Sequence, residues 1–421
     1  MPTEIVLDNN LVLRSLRGDA DKERFAVFNT AFNNPFEGAT CACLMHHHPE
    51  TTLNDYWLVE DASRGEVVST TCLLPWVCRF DGIDLRVAQL EMVLTHPAYR
   101  GRGLVRAQIK HFEQVVLERG YDISIISGIP YYYRQFGYAY AIDGDRCEAL
   151  PVWKIPDHPP GFVQPLRLRK ARSIDIPLLV AGYAGVTAAL NIAIQRTSAH
   201  WRYLLEAAQH HVEMVENAQT GEKLGYITLL RDDDPITILE SGLAEAVDCL
   251  RLLLHLKAQA SRQVLVYGSP YTPLVQLAHS LGSQVVEGIQ WLLRFPDLAR
   301  FLVRIGPVME NRLAGSIWRG LSTELIVNLY RQAFRLRFQS GRLAGVDSLG
   351  FVDASMGADG GHLCIPPGAF VRLVSGYRAL ESLFDAWPDI VVKPEVRNLI
   401  DVLFPPLKTY LYTPYHYLGK I

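Results

Sequence analysis

Residues 99–108, YRGRGLVRAQ, place three arginines and two glycines around the predicted first turn of a helix. The N-terminus of a helix carries partial positive charge and unpaired N–H donors, so it favours anions over cations. No acidic residue follows until Glu113, so this positive charge has no counter-charge nearby in the sequence. A buried strand that ends in Val93, Leu94 and Thr95, then a glycine-rich turn and a helix, is typical of a phosphate-binding site. With arginine side chains added, a diphosphate fits better than a single carboxylate.

The predicted helix after this turn has an apolar face and a basic face. Arg102, Arg106 and Lys110 lie along the basic face, where they could meet additional phosphate. A dinucleotide-binding turn would need glycine in place of Arg106, and a phosphate loop of the Walker type would need Gly-Lys-Ser/Thr. The turn alone still leaves open a basic face that is simply solvated.

Composition narrows the remaining classes of function. A net charge of −3 over 421 residues argues against a general nucleic-acid-binding protein. The seven cysteines form no C-x-x-C pair, so we expect reduced thiols and a cytoplasmic protein. The chain has no signal pattern and no apolar run of membrane-spanning length. Cys41, Cys43 and the run His46–His48 suggest metal, but adjacent histidines cannot all face one ion, so we predict a mobile loop and no metal site.

Strands and helices of a mixed α/β fold must position the arginine turn. Hydrophobic patterning predicts a helix over 103–119 that ends at Gly120, and a strand covered on both faces over 122–127. A loop, a short helix and a closing strand follow in GIPYYYRQFGYAY. Upstream, the same patterning predicts strands at 11–16, 55–61, 66–75 and 85–94.

The chain repeats itself after a proline-rich linker at 151–165. Residues 166–186 parallel residues 11–32, with a strand, an Arg-x-x-Arg pair and an aspartate that opens a helix. The segment that corresponds to the arginine turn, ILESGLAEAVDCLRLL, has no Arg-Gly-rich sequence, so the anion site is predicted for the first half alone. We predict α/β halves at 1–150 and 151–295, and an α+β domain of antiparallel strands and helices at 296–421.

Two motifs carry a resemblance to the GNAT family of N-acetyltransferases. THPAYRGRGL matches the pyrophosphate motif of that family at Arg100 and Gly103, with Val105 at its last small position. One helix and one strand later, YYRQFGY matches a second family signature at Tyr133, Gly137 and Tyr138. The resemblance covers about residues 55–140 and implies that acetyl-CoA is the cosubstrate.

The same resemblance implies specific roles for these residues. The backbone of Val93, Leu94 and Thr95 would hold the acetyl carbonyl and the pantetheine arm, and an amine would attack the thioester directly. Tyr133 would be the general acid that protonates the sulfur, whereas we expect the two preceding tyrosines to serve packing. The residues implied for pyrophosphate binding are Arg100, Gly101, Arg102, Gly103, Leu104, Val105 and Arg106.

Over its whole length the chain resembles acetyltransferases of the enhanced-intracellular-survival type. These combine a catalytic GNAT domain, a degenerate second GNAT domain and a C-terminal domain like sterol carrier protein. The resemblance implies a homo-oligomer in which the C-terminal carboxylate, here that of Ile421, is the general base. Glu91 is a second acidic candidate, either to orient a water or the amine or as a satisfied, partly buried carboxylate.

The acceptor is predicted to be a small polyamine-like or aminoglycoside-like amine, or a lysine side chain. A non-catalytic acyl-CoA-binding or lipid-binding protein is the alternative.

Overall fold

The computed structural model describes residues 4–412 except residues 9, 34, 159–164, 209, 232–234, 261 and 355–359. Its mixed α/β architecture confirms the predicted fold class. The first half contains β1 (Glu4–Asp8), β2 (Leu11–Ser15), α1 (Asp19–Phe32), α2 (Pro35–His47), β3 (Tyr56–Asp61), β4 (Glu66–Phe80), β5 (Ile83–Thr95), α3 (Leu104–Glu118), β6 (Ile123–Ile126) and β7 (Ala139–Pro151). The strands and helix predicted for this half lie where expected, although β4 and β5 extend further into a long hairpin.

The second half follows a similar order of strands and helices. It contains β8 (Leu166–Lys170), α4 (Ile176–Thr187), β9 (Ile192–Ile194), α5 (Ser198–Arg202), β10 (Val212–Asn217), β11 (Lys223–Arg231), β12 (Ile236–Ser241), α6 (Ala246–Lys257), β13 (Gln263–Tyr267), α7 (Pro273–Ser280) and β14 (Gln284–Arg294).

An ion-pair cluster occurs once in each half and supports the predicted repeat. In each copy an arginine on the first strand of the repeat bonds an aspartate at the start of a helix and a glutamate on the neighbouring strand. The three side chains of each set lie on equivalent elements. The two halves therefore share a pattern of ion pairs that the sequence repeat alone did not reveal. The two sets are Arg14–Asp21–Glu60 and Arg169–Asp175–Glu216.

The halves exchange their last strands. The described strands of the two halves form one sheet, in the order β1-β2-β3-β4-β5-β6-β14-β7-β13-β12-β11-β10-β8, with β9 added beside β4. β14, from the second half, pairs antiparallel with β6 of the first half, and β7 pairs with β13 in the same way. Each half therefore completes the sheet of the other, and the two are interlocked.

The third section contains α8 (Leu298–Arg304), α9 (Gly306–Ala314), β15 (Thr323–Asn328), β16 (Ala333–Gln339), β17 (Arg342–Gly350), β18 (Leu363–Cys364), α10 (Pro367–Val374), α11 (Leu380–Phe384), β19 (Val391–Val392) and α12 (Arg397–Leu403). The predicted antiparallel strands are β15 and β16, inside a separate sheet ordered β17-β16-β15-β18-β19. Within the described ranges, none of the helices combines the length and apolar character that crossing a bilayer requires.

The loop predicted around Cys41 and His46–His48 is wrong, because α2 runs through most of this segment. Leu44 and Met45 are buried in the core, and the N–H of His48 still bonds the carbonyl of Leu44 (3.0 Å). This apolar anchoring outweighs the modest helix propensity of histidine. In the described part of the chain no three His, Cys, Asp or Glu side chains are grouped to hold a metal ion.

Candidate active site

The parallel strands β5 and β6 separate shortly after they pair. Their register runs only from Val87–Ile123 to Gln89–Ile125, whereas β5 continues to Thr95 with β4 on its other side. No described strand covers the open edge of residues 90–95. Backbone N–H and C=O groups on this edge are therefore available to an extended ligand, as in strand addition to a sheet. Val93, Leu94 and Thr95, for which the resemblance implies contacts with the pantetheine arm, lie on this segment.

A β-bulge bends β5 at this opening. The register with β4 passes from Thr70–Leu94 to Cys72–Glu91, so Met92 and Val93 together oppose Thr71. Met92 has a φ of 54°, a left-handed conformation that is unusual for a residue with a side chain. The Thr70 hydroxyl donates to the Met92 carbonyl (3.1 Å) and fixes the bulge from the β4 side. Such bulges re-aim strand groups beside functional sites.

The arginine turn follows the end of β5. Gly101 and Gly103 have φ values of 76° and 77°, where glycine avoids the steric cost of a side chain. Gly103 precedes α3, and the first helical hydrogen bond runs from the Ala107 N–H to the Gly103 carbonyl (3.0 Å). The N–H groups of residues 104–106 precede that bond, and no acidic side chain occupies the first turn of the helix. Leu104 is buried and anchors the helix, while Val105 is half-buried.

The arginine side chains of the turn have no acidic partner in the described part of the chain. The Arg102 guanidinium lies over the Tyr99 ring at 4.7 Å, and Arg106 donates to the neutral Gln135 amide oxygen (3.0 Å). Arg100 is exposed, and no described carboxylate lies within ion-pair distance of it. Helix dipole and side-chain charges thus add at one place without neutralisation, which favours an anion.

Tyr133 is fixed by packing on a 3₁₀ turn, Tyr132–Phe136, beside the opening between β5 and β6. Its side chain is 6% exposed, and a Cβ built at Gly128 would lie 2.1 Å from the Tyr133 ring, so glycine is required there. Burial raises the pKa of the phenol, and the negative charge of Glu91 raises it further. The raised pKa keeps the hydroxyl protonated at neutral pH, and the described residues offer it no hydrogen-bond partner, so it is able to donate.

The two tyrosines before it differ from each other. Tyr131 is 74% exposed with a φ of 69°, so the packing role predicted for it is wrong. Tyr132 is half-buried, and its ring meets that of Tyr133 edge-on with centroids 5.1 Å apart, which confirms the packing role. At the end of this segment, the Tyr138 hydroxyl shares a 2.6 Å hydrogen bond with Ser124 on β6.

A hydrogen-bonded ladder orients Glu91. The Trp76 indole N–H donates to the Gln89 side-chain oxygen (2.8 Å), and the Gln89 amide donates to the Glu91 carboxylate (2.9 Å). An indole can only donate, so the Gln89 oxygen must face Trp76 and its NH₂ group must face Glu91. Sequence reasoning missed Gln89 and Trp76, although residues 89 and 91 share a face of a strand by their spacing.

Ile421, the predicted base, lies outside the described residues.

Residues 13–141 match the family model of the acetyltransferase (GNAT) domain, so the chain contains a domain of this kind. A protein from Enterococcus faecalis V583, described as a probable N-acyltransferase, superposes with a TM-score of 0.72 at 13% identity, over 98% of this chain and 100% of that one. A GCN5-related N-acetyltransferase from Anabaena variabilis ATCC 29413 gives 0.70 at 15% identity, over 95% and 99%.

Eis1 from Mycobacterium abscessus gives a TM-score of 0.62 at 16% identity, over 96% of this chain and 99% of that one. At such low identities these likenesses establish the fold of the whole chain and no more. No curated protein matches the chain in sequence.

Proposed function

We propose that the protein is an acetyl-CoA-dependent N-acetyltransferase that acts on a primary amine. The observation that carries the proposal is the arginine turn: left-handed glycines, unpaired helix N–H groups and three arginines without a described acidic partner. A diphosphate supplies the missing counter-charge, and the open edge of β5 begins beside it. Acyl-CoA carries both a diphosphate and an extended arm with amide groups.

The reaction is a direct transfer of the acetyl group. The amine nitrogen attacks the thioester carbonyl carbon, an N–C bond forms, and the C–S bond breaks to release the thiolate. Tyr133 donates its phenolic proton toward that sulfur. A bound ammonium group near Glu91 would offset the carboxylate charge that raises the Tyr133 pKa, making the phenol a better acid when the acceptor is present.

The attacking amine must also lose a proton, because an alkylammonium group has a pKa near 10.4. Ile421 is the base implied by the resemblance. Among the described residues, we propose Glu91 as the second candidate, because the Gln89 amide orients its carboxylate. A polyamine-like or aminoglycoside-like molecule, or a lysine side chain, is the proposed acceptor. We further propose a cytoplasmic homo-oligomer with a C-terminal domain of the sterol-carrier type.

Thiol release from acetyl-CoA with a panel of amines tests the enzyme class. We expect at least one primary amine to accelerate release and to appear as its N-acetyl product by mass spectrometry. If acetyl-CoA binds but no amine accelerates release, the protein is instead a non-catalytic acyl-CoA-binding protein. If acetyl-CoA does not bind, the proposal fails altogether.

Tyr133→Phe tests the general acid. We expect kcat to fall by about 10²–10⁴-fold, the usual contribution of a positioned acid, with little change in acetyl-CoA affinity. The matched control is Tyr132→Phe, which alters a packing neighbour and should leave kcat close to the wild-type value. Equal turnover of the Tyr133 variant and the wild type would move Tyr133 to a packing role.

A further inference from the structure

We propose that the second half supplies Arg294 to a site for the 3′-phosphate of coenzyme A. The proposal rests on the function proposed above and adds a specificity-determining residue from outside the GNAT motif region. Arg294 is the last residue of β14, the strand that the second half contributes beside β6. Strand exchange therefore brings a residue 188 positions beyond Arg106 next to the predicted cofactor site.

A groove of about 500 Å³ leads from the arginine turn to Arg294. One wall is α3, and the other is the end of the Tyr132–Phe136 turn. The hydrogen bond from Arg106 to Gln135 crosses between these walls, and the Arg106 guanidinium lies 5.5 Å from the centre of the Phe136 ring. The groove is lined by Arg106, Lys110, Gln135, Phe136, Gly137 and Arg294, together with Ile109 and Glu113.

Charge in the groove favours a phosphate monoester. Arg106, Lys110 and Arg294 bring three cations, and Glu113 is the single carboxylate in its lining. Glu113 forms an ion pair with Arg294, which holds the guanidinium at the groove. Lys110 is exposed and has no acidic partner among the described residues. The groove therefore keeps a net positive charge, and the charge without a described acidic partner lies at Lys110.

The position of these cations fits the covalent structure of coenzyme A. Its 3′-phosphate is one ribose away from the diphosphate. Lys110 lies one helical turn beyond Arg106 on the same face of α3, and Arg294 lines the same groove. A planar guanidinium can bond two phosphate oxygens while it keeps a contact to Glu113, because it carries five N–H donors. Gly137 has a φ of 81°, which favours glycine, and it lies directly beside the Arg294 side chain.

Calorimetric titration of the full-length protein with coenzyme A and with dephospho-coenzyme A tests the proposal. These ligands differ only in the 3′-phosphate. We expect coenzyme A to bind at least about tenfold more tightly than dephospho-coenzyme A, because charge-assisted hydrogen bonds would hold its 3′-phosphate. Arg294→Gln should reduce that preference to about twofold or less, with unchanged affinity for dephospho-coenzyme A. Lys110→Ala, at an exposed position, should weaken the preference in the same direction.

Two further variants keep the test independent of folding. Arg294→Gln alone leaves Glu113 without its ion pair, so the double variant Glu113→Gln/Arg294→Gln removes both charges and should also lack the preference. Glu113→Gln alone should keep or increase it. Arg300→Gln is the matched control, because this arginine on α8 bonds the Gly120 carbonyl (2.7 Å) outside the groove.

Equal affinity of the wild-type protein for the two ligands would overturn this inference and leave the transferase proposal intact. Retention of the full preference by both Arg294→Gln and the double variant would also overturn it. Failure of coenzyme A itself to bind would instead overturn the proposed function.

Discussion

Acid should weaken the packing between the two halves at a pair of buried histidines. His48 follows α2 in the first half, and His200 lies in α5 of the second. Their ring centroids are 5.7 Å apart, and they lie 5.3 Å and 5.4 Å from the ring of Trp76. The N–H of Glu50 donates to His48 Nδ1 (3.3 Å), and that of Thr197 donates to His200 Nδ1 (3.2 Å). Each neutral ring therefore carries its proton on Nε2.

Burial is the main cause of the shifted titration of both rings. It lowers the pKa of His48 to about 3 and that of His200 to about 4, from an ordinary value of 6.5. Below pH 6.5 the unfolded chain binds protons that the folded chain does not, so stability present at neutral pH is lost as the pH falls toward the folded pKa values. At pH 5 each ring should cost about 2 kcal/mol, and both together about 4 kcal/mol if they act independently.

Unfolding measured between pH 8 and pH 5 tests this expectation. His48→Asn removes one titrating ring while its Oδ1 can still accept the Glu50 N–H. The variant should therefore lose about 2 kcal/mol less than the wild-type protein over this range. The exposed His279→Asn should follow the wild-type curve. The reasoning is refuted if His48→Asn shows the same pH dependence, or if NMR shows either ring protonating above pH 5 in the folded protein.

Two further predictions concern the candidate site. Gly103→Ala places a side chain at a φ of 77°, so we expect a stability cost of about 1–2 kcal/mol and weaker acetyl-CoA binding by calorimetry. Gly82→Ala, at a φ of 93° in the β4–β5 hairpin, should cost stability without changing that affinity. Deletion of Lys420 and Ile421 should lower kcat if the terminal carboxylate is the base. An unchanged kcat would show that the terminal carboxylate is not the base.

Local patterns predicted the first half well. The arginine turn and the helix after it were readable because their signals, glycine, charge and periodicity, act within a few residues. The buried strand 123–126 was readable for the same reason. The segment ending in His48 was misread because its helix depends on the burial of Leu44 and Met45 against distant strands, and sequence neighbours do not reveal that packing.

Long-range pairing set the limit of sequence reasoning. The repeat predicted two similar halves, yet similarity alone cannot say which half receives β7 and which receives β14. The strands would have the same lengths and apolar faces whether or not the halves exchange them, so the sequence pattern does not reveal the exchange. Arg294 gave no local signal of a role, since a charged residue at a strand end is ordinary. The Gln89–Glu91 contact, by contrast, could have been predicted, because residues two apart on a strand lie on the same face.

The two halves differ in the charges at the start of corresponding helices. The helix of the second half that corresponds to α3 begins after Glu245, and Asp248 lies in its first turn, bonded to Arg251 (2.9 Å). Acidic groups there already complement the helix dipole, so that turn has no need of a bound anion. We therefore expect no anion to bind at this turn of the second half, which contributes β14 to the sheet beside β6. The pairing of β14 with β6 and β7 needs no arginine turn in the second half, because it rests on backbone hydrogen bonds between the strands.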